Sequence, residues 1–392
     1  MNQLSNLKKY AVLYEELYAI AETQIKTLFY ENDFFGATHE QELNQIKAKH
    51  KPKKPGFLDV LHKYYLMTTL GLHKFSFMHF FKTILLVIII NLRYGKFKKV
   101  VSFYNDIISR EINSLQNLIP EIDLNGKKHQ IVKVILANVL TTFIYSNLLF
   151  PRKVQFKLEK SFYMGYYIGV NYIISDQILD SLEYTKKEKL EFHNLVQNVL
   201  SDSDYSHFSN GRFYAFINKI ITDCKLRFPL EENEEFYKIL FLLEQSQFDD
   251  LCFNYKKGQT DKLINKSSLV ALKTLFSLIA VNLKLSRNLG DNINKSILWT
   301  LYCQMTDDIR DINEDTDNNI LTLFTLEEDN HKFNPYKLYI FLTNKFAKKY
   351  YASWMYSDLL NMLNDSEIQS EVKQDDRKIN IFTYKILGLK FA

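Results

Sequence analysis

Two groups of acidic residues lie in otherwise apolar, helix-patterned segments, about a third of the chain apart. The first acidic cluster consists of Asp176 and Asp180. The second acidic cluster, within QMTDDIRDINED, consists of Asp307, Asp308, Asp311, Glu314 and Asp315. An ionised carboxylate is costly to bury unless it is paired with a cation or bound to a metal. Because Mg²⁺ takes carboxylate oxygens and completes its shell with water and substrate phosphates, the clusters predict a magnesium site for a phosphorylated substrate.

Helical spacing would place the members of each cluster on one face of a helix. Asp307, Asp311 and Asp315 are four residues apart, so they would span roughly 80° of a helix surface. The predicted metal ligands are Asp176, Asp180, Asp307, Asp308, Asp311 and Asp315. A solvated acidic helix face shows the same spacing and is the alternative, above all for the first cluster. In the second cluster, isoleucines separate four aspartates and Arg310 is the only basic residue, which favours a site.

The segments that carry these clusters are predicted to be helices because the chain contains few helix-breaking residues. Only 11 glycines and 6 prolines occur in 392 residues, whereas average usage of the two types is roughly 12%. The stretches 152–228 and 230–334 contain no proline. Apolar residues make up 46% and charged residues 24%, as in ordinary globular proteins. The chain is therefore predicted to be all-α, with one large core or one core plus an appendage.

Charge and cysteine content bear on whether the protein binds nucleic acid and on the compartment in which it is expected. The formal net charge is +5, the lysines are scattered and no arginine-rich stripe is present, so nucleic-acid binding is not expected. Three cysteines without CxxC spacing argue against a disulfide framework. The first residues, MNQLSNLKKYAVLYEEL, are amphipathic and lack the apolar core of a signal peptide. The cytoplasm is the expected location.

The N-terminal part of the chain is predicted to be a helical extension, residues 1–115, packed on a core bundle at 116–392. An amphipathic helix is expected around Leu7 to Leu28. The apolar run from Ile84 to Ile90 is shorter than the roughly 20 residues that cross a bilayer. A buried core helix is the favoured explanation of this run, and a peripheral membrane contact or a homodimer contact is the alternative.

Three further segments are predicted to position the acidic clusters. A polar loop at 121–130 should enter a helix that runs toward Tyr145, and a helix from about Phe156 should end at the first cluster. A continuous helical zone is expected from Ser267 to Asp315, with the second cluster near its end. These helices would have to meet at one cavity for both clusters to bind the same substrate.

Four short segments of the chain resemble the motifs of one known superfamily and occur in the same order. They are GKKHQ at 126–130, DQILD at 176–180, NKSSL at 265–269, and QMTDDIRDINED with its flanks at 288–326. They resemble the GKxxRP loop, the first aspartate motif, the lysine-containing segment and the second aspartate motif of the class I isoprenoid synthase superfamily. The similarity is greatest to its polyprenyl synthase-like and squalene synthase-like bacterial branch. It covers roughly 120–330, and the last segment, about forty residues long, carries most of it.

This resemblance implies an antiparallel helical bundle around a deep apolar cavity, with the two acidic clusters facing each other at its mouth. Three Mg²⁺ ions would clamp a prenyl diphosphate there. Basic residues would bind the diphosphate, and aromatic rings would shield the allylic cation from water. The implied substrate-binding residues are Lys266, Arg310, Arg377, Tyr166, Tyr167 and Tyr172.

The chain lacks arginines that chain-elongating members of the superfamily have, which favours a reaction of one prenyl diphosphate over the joining of two substrates. GKKHQ lacks the arginine and proline of the GKxxRP loop, and only Lys186 and Lys187 stand where an arginine pair follows the first motif. Lysine does not reproduce the bidentate arginine fork that would hold a second diphosphate. The expected function is a Mg²⁺-dependent terpene synthase that ionises and cyclises a linear prenyl diphosphate. The alternatives are a chain-elongating or head-to-head prenyltransferase and a catalytically inactive helical scaffold.

Overall fold

The helical content of the protein follows from its scarcity of glycine and proline. The computed structural model describes residues 3–36, 39–53, 56–72, 108–145, 151–181, 183–252, 260–317, 320–325 and 333–364. Within these ranges the chain is mostly helical and contains no strand; a single isolated bridge pairs Phe35 with Phe333. The all-α prediction is confirmed. The particular bundle type stays a prediction.

The helices are numbered here in chain order. They are α1 (Gln3–Glu31), α2 (Glu40–Lys49), α3 (Phe57–Thr68), α4 (Lys128–Tyr145), α5 (Pro151–Asp180), α6 (Lys186–Leu200), α7 (Tyr214–Arg227), α8 (Leu230–Cys252), α9 (Thr260–Ala280), α10 (Leu289–Asp317), α11 (Pro335–Tyr350) and α12 (Trp354–Asn364). Residues 108–116 are also helical, and 3₁₀ turns lie at Ser206–Phe208 and Leu283–Asn288.

The core forms around α9, which packs against α8, α10 and α1. Helix α1 buries residues spaced three or four apart, so one stripe of its surface faces these neighbours. The fully or nearly fully buried members of this stripe are Tyr10, Tyr14, Leu17, Ala21 and Ile25. Each large apolar side chain buried in this way contributes on the order of 2 kcal/mol. The N-terminal helix therefore shares the apolar core of the later helices, while the boundary expected near residue 115 stays a prediction.

Helix α5, which carries the first acidic cluster, lies directly against α4. A Cβ atom on Gly165 would lie 2.6 Å from the Ile135 Cα atom, and one on Gly169 would lie 3.0 Å from the Ile131 Cα atom. Only glycine permits this approach of the two backbones, because any side chain would strike the main chain of α4. The close contact fixes α5 along its middle. Its last turns are thereby held in place for the acidic residues.

Two boundaries differ from the sequence predictions. Helix α5 begins at Pro151 rather than near Phe156, because proline is favourable in the first turn, where its missing N–H costs no hydrogen bond. The continuous helix expected from Ser267 to Asp315 is wrong, since the chain leaves the helical conformation at Asn282 (φ −141°, ψ 72°) and re-enters it at α10. The Asn292 side chain donates a hydrogen bond of 2.6 Å to the Leu285 carbonyl and stabilises the connection.

Some predictions fall outside the described residues, namely those on the run from Ile84 to Ile90 and on Arg377. Within the described ranges one helix, Asp261–Ala280, is long and apolar enough to cross a membrane, and 72% of its most apolar window is buried in the protein. The three cysteines are free thiols. The cytoplasmic location stays a prediction.

Candidate functional site

The first acidic cluster occupies the last two turns of α5. Asp176 is half-buried and Asp180 is the final residue of the helix. Burial, and next the neighbouring Asp180 carboxylate, raises the pKa of Asp176 to about 6. The pKa of Asp180 is also raised, chiefly because surrounding protein atoms displace water from its carboxyl group. The two side chains therefore repel each other in an environment that favours a bound cation.

The second acidic cluster occupies the last turns of α10. Asp308 is only 6% exposed, and burial raises its pKa to about 7 even though the Gln304 amide donates a 2.7 Å hydrogen bond to it. Gln304 in turn accepts a 2.6 Å hydrogen bond from the Thr274 hydroxyl on α9. Displacement of water by surrounding protein atoms, although the Asp307 side chain itself is exposed, and next Asp311 raise the pKa of Asp307. Burial and next Asp311 raise the pKa of Asp315 to about 6. As in the first cluster, burial and like charge oppose the ionisation of these carboxyl groups.

Lys273, on α9, connects the two clusters. Its ammonium group acts electrostatically on carboxyl groups from both helices, namely Asp176, Asp180, Asp307, Asp308 and Asp315. Burial alone would lower the pKa of Lys273, but Asp250, Tyr172 and Asp180 outweigh that effect and hold it well above its ordinary value. Because one ammonium group acts on carboxyl groups of both helices, the acidic ends of α5 and α10 both lie within electrostatic range of Lys273. Lys273 is positively charged at neutral pH.

Asp250 holds Lys273 in position. Its two carboxylate oxygens pair with different lysines of α9: Oδ1 with Lys266, and Oδ2 with Lys273 at 3.3 Å. Burial would raise the pKa of Asp250, but the two ammonium groups outweigh burial and hold it below its ordinary value. Lys266 is only 3% exposed. The structure therefore places Lys266, the lysine selected by resemblance, in the support of the site, and Lys273 two turns later at the carboxylates.

The three predicted tyrosines have different surroundings. Tyr172 lies one turn before Asp176, and burial, Asp176 and Asp307 all raise the pKa of its phenol, so carboxyl groups of both clusters act on it electrostatically. Tyr166 and Tyr167 are buried against a different set of groups, Glu111, Leu115, Ile220 and Asp223, with Arg227 close to both phenols. Tyr167 is nine residues from Asp176, which is about half a turn around the helix. The contacts thus place Tyr172, but not the other two, beside the acidic residues.

Two lysines outside the predicted set of site residues act on the first cluster. Lys127, from the loop before α4, acts electrostatically on Asp176. Gln177 anchors that loop, because its amide accepts from the Asp123 N–H at 2.9 Å and donates to the Asp123 carbonyl at 3.3 Å. Lys189, on α6, donates a 2.6 Å hydrogen bond to the carbonyl of Leu179 and acts on Asp180. Lys127 belongs to the GKKHQ segment, whereas no local sequence pattern marks Lys189.

Two further cations approach the second cluster. Arg310 lies within it and acts electrostatically on Asp307 and on Tyr339 of α11. Lys63, on α3, also acts on Asp307. Lys63 comes from the part of the chain outside the resemblance, where no motif marks it.

The donor set fits a hard divalent cation by its chemistry. The carboxyl groups of both clusters are the oxygen ligands that Mg²⁺ takes, and their raised pKa values show that burial and like charge oppose their ionisation. In the described part of the chain, no three His, Cys, Asp or Glu side chains already converge on one point. A shared ion would therefore require rotation of aspartate side chains, of which Asp180 and Asp307 are exposed.

Comparisons with known proteins give no match to this chain. No protein-family model matches it, no curated protein matches it, and no solved structure matches it.

Proposed function

We propose that the protein is a Mg²⁺-dependent class I terpene synthase, which ionises a linear prenyl diphosphate and rearranges or cyclises the resulting carbocation. The observation that supports this most is the position of Lys273, within electrostatic reach of carboxylates on both α5 and α10. The carboxylates of α5 and α10 would provide metal ligands from two helices, and Lys273 would provide a cation for the diphosphate.

The residues divide into three roles under this proposal. The metal-binding carboxylates would be Asp176, Asp180, Asp307, Asp308, Asp311 and Asp315. Bound Mg²⁺ would supply Lewis-acid stabilisation of the departing diphosphate. Lys273, which stays protonated, would stabilise charge on the leaving oxygens and would not act as a proton donor. The Tyr172 ring, next to the first cluster, would present its face to the developing cation, since aromatic faces attract positive charge.

Metal binding should be coupled to proton release. The pKa of Asp308 is about 7 and that of Asp176 is about 6, so both carboxyl groups are partly protonated in mildly acidic solution without metal. A divalent cation binds the ionised forms, and protons compete with it below these pKa values. Mg²⁺ affinity is therefore expected to rise between about pH 5.5 and pH 8 and then to level off.

One observation favours a prenyltransferase as the second candidate. Lys127 belongs to the GKKHQ segment, and the structure places it close enough to act on Asp176. A cation at this position could hold the diphosphate of a second substrate next to the first, although a lysine offers a point charge rather than an arginine fork. The two candidates differ in whether isopentenyl diphosphate is needed for product.

A substrate panel tests both candidates. The purified chain would be incubated with Mg²⁺ and geranyl, farnesyl, geranylgeranyl or longer diphosphates, each with and without isopentenyl diphosphate. The terpene synthase proposal expects a non-phosphorylated hydrocarbon or alcohol from one allylic substrate alone, and no product in EDTA. A longer prenyl diphosphate formed only with isopentenyl diphosphate would support the prenyltransferase. No product in any combination, together with no Mg²⁺-dependent pyrophosphate binding, would contradict both and leave the inactive scaffold.

A further inference from the structure

A buried hydrogen bond ties the end of α5, which carries the first acidic cluster, to α8. The Ser175 hydroxyl donates to the Glu244 Oε2 atom at 2.6 Å. Both side chains are 0% exposed. A carboxyl group is rarely buried without a polar partner, because the loss of its hydration costs free energy. Since Ser175 immediately precedes Asp176 in the chain, the bond holds the turn of α5 from which Asp176 projects.

The other carboxyl oxygen of Glu244 faces α6. His193 Nδ1 lies 3.7 Å from Glu244 Oε1, which exceeds the length of a hydrogen bond. The His193 ring stacks on Phe248, one turn after Glu244, with ring centroids 3.9 Å apart and planes 11° from parallel. Within the part of the chain that the structure describes, the Ser175 hydroxyl is therefore the only hydrogen-bond donor to the Glu244 carboxyl group.

A second hydrogen-bonded side chain, Gln177, lies on the other flank of the acidic pair. Its amide accepts from the Asp123 N–H and donates to the Asp123 carbonyl. At about 100° per residue, Ser175 and Gln177 leave α5 roughly 200° apart. Asp176 and Asp180 leave it roughly 100° and 140° from Ser175, in the sector between the two hydrogen-bonded side chains. Bonds on both flanks of the acidic pair thus fix the rotation of the helix end about its axis.

We propose that Glu244 is a positioning residue for the first acidic cluster, which it orients through the Ser175 hydroxyl. The inference rests on the proposed function, because it assumes that Asp176 and Asp180 bind Mg²⁺. Since Mg²⁺ demands near-octahedral geometry with oxygen ligands at about 2.0–2.1 Å, a small rotation of the helix end would cost metal affinity. The close contact of Gly169 with α4 lies six residues before Ser175, about 9 Å along the helix. The end of α5 therefore depends on its own hydrogen bonds.

The competing explanation is that this bond only stabilises the fold, and matched substitutions separate the explanations. Ser175→Ala removes the donor, and Glu244→Met removes the acceptor at similar volume. Glu244→Gln keeps an oxygen that accepts from Ser175, so it should rescue the site. Ser246→Ala is the matched control, because this buried hydroxyl bonds only to the Leu243 carbonyl of its own helix in the described structure. Val199→Ala shortens a buried side chain of α6 and is the control for lost stability alone.

The measurement is isothermal titration of inorganic pyrophosphate into the full chain at a series of free Mg²⁺ concentrations, with a thermal melt of each variant. Ser175→Ala and Glu244→Met should each raise the free Mg²⁺ concentration for half-maximal binding by about tenfold, as loss of a group that orients metal ligands does. The double variant should lose no more than either single variant, because both remove the same bond. Glu244→Gln and both controls should stay within about threefold of the unmodified chain, although Val199→Ala should melt at a lower temperature.

Three results would overturn the role of Glu244 and leave the proposed function standing. The first is a shift in Val199→Ala as large as that in Ser175→Ala, since lost stability alone would then account for the effect. The second is an equal loss in Glu244→Gln and Glu244→Met, and the third is no shift in Ser175→Ala. Failure of the unmodified chain to bind pyrophosphate at any Mg²⁺ concentration would instead contradict the proposed function, and with it this role.

Discussion

The two acidic clusters differ in how much of their negative charge the protein neutralises. The first has two carboxyl groups, and Lys127, Lys189 and Lys273 all act on them. The second has five, and the cations that act on Asp307, its most exposed aspartate, are Arg310, Lys273 and Lys63. Asp308 is buried there with an amide as its hydrogen-bond partner. The second cluster therefore carries the larger excess of negative charge, and we expect it to depend more on metal.

The largest expected effect comes from neutralising one carboxylate in each cluster. Asp307→Asn should lower kcat/KM by about a hundredfold or more, since it removes a metal ligand at the developing charge. Asp180→Asn should cost less, because three lysines partly substitute for metal around the first cluster. Steady-state kinetics with the active allylic substrate would measure both. Asp291→Asn, near the opposite end of α10 and paired on the surface with Lys295, is the control and should leave turnover unchanged. Equal losses in the two clusters would remove the proposed difference between them.

The next largest effect separates Lys273 from Lys266. Lys273→Gln should weaken Mg²⁺-dependent pyrophosphate binding by roughly tenfold to a hundredfold, because a charge-assisted contact is lost. Lys266→Met should instead destabilise the fold by about 3 kcal/mol, because one partner of a buried ion pair is removed. Urea denaturation and pyrophosphate titration on both variants would test this. A stable Lys266→Met protein that no longer binds pyrophosphate would restore Lys266 to the role that the resemblance implied.

A moderate effect is expected in the pH dependence of stability without metal. Asp308 and Asp176 have folded-state pKa values of about 7 and about 6, above the ordinary value of an aspartate. The folded state therefore binds more protons than the unfolded state above about pH 4, so the free energy of unfolding should fall as pH rises to about 7. Chemical denaturation between pH 4.5 and pH 8 would show this slope. The paired substitutions Asp176→Asn and Asp308→Asn should flatten it, and added Mg²⁺ should stabilise the chain most at pH 8. A slope of opposite sign would contradict the assignment of these two carboxyl groups.

The smallest effect concerns the tyrosines of α5. Tyr172→Phe should change kcat by roughly twofold to tenfold, because it removes a hydroxyl group on which carboxyl groups of both clusters act electrostatically. Tyr167→Phe should leave kcat unaltered, since that phenol lies against Arg227, Asp223 and Glu111. Single-turnover kinetics of the two variants would distinguish them. An equal effect of the two substitutions would mean that the site extends around α5 to both faces.

The sequence was enough to predict the fold class and the placement of acidic residues on helix faces. Few glycines and prolines make helices the default, and the spacing of four residues puts Asp307 and Asp311 on one face whatever the tertiary fold. The break between α9 and α10 was not predictable in this way. It depends on the Asn292 side chain, which finds the Leu285 carbonyl only after the chain has turned.

Which lysines reach the acidic clusters could not be predicted from the sequence either, because it depends on how the helices pack. Lys266 and Lys273 are seven residues apart on one face of α9, so periodicity treats them alike. Asp250 pairs with both, but the surrounding helices leave the Lys266 side chain only 3% exposed and the Lys273 side chain 29% exposed. Lys63 and Lys127 arrive from segments distant in sequence. Such positions follow from packing between helices, on which a single sequence contains no direct information.

A double-mutant cycle on pyrophosphate binding tests the central claim, that both clusters act on one metal–diphosphate complex. Binding would be titrated with Mg²⁺ for the unmodified chain, Asp180→Asn, Asp307→Asn and the double variant. If the clusters share the complex, the losses should be non-additive, with a coupling energy of about 1 kcal/mol or more. Losses that add within about 0.4 kcal/mol, as for independent sites, would contradict the account. Binding that is equally tight in EDTA would contradict it as well.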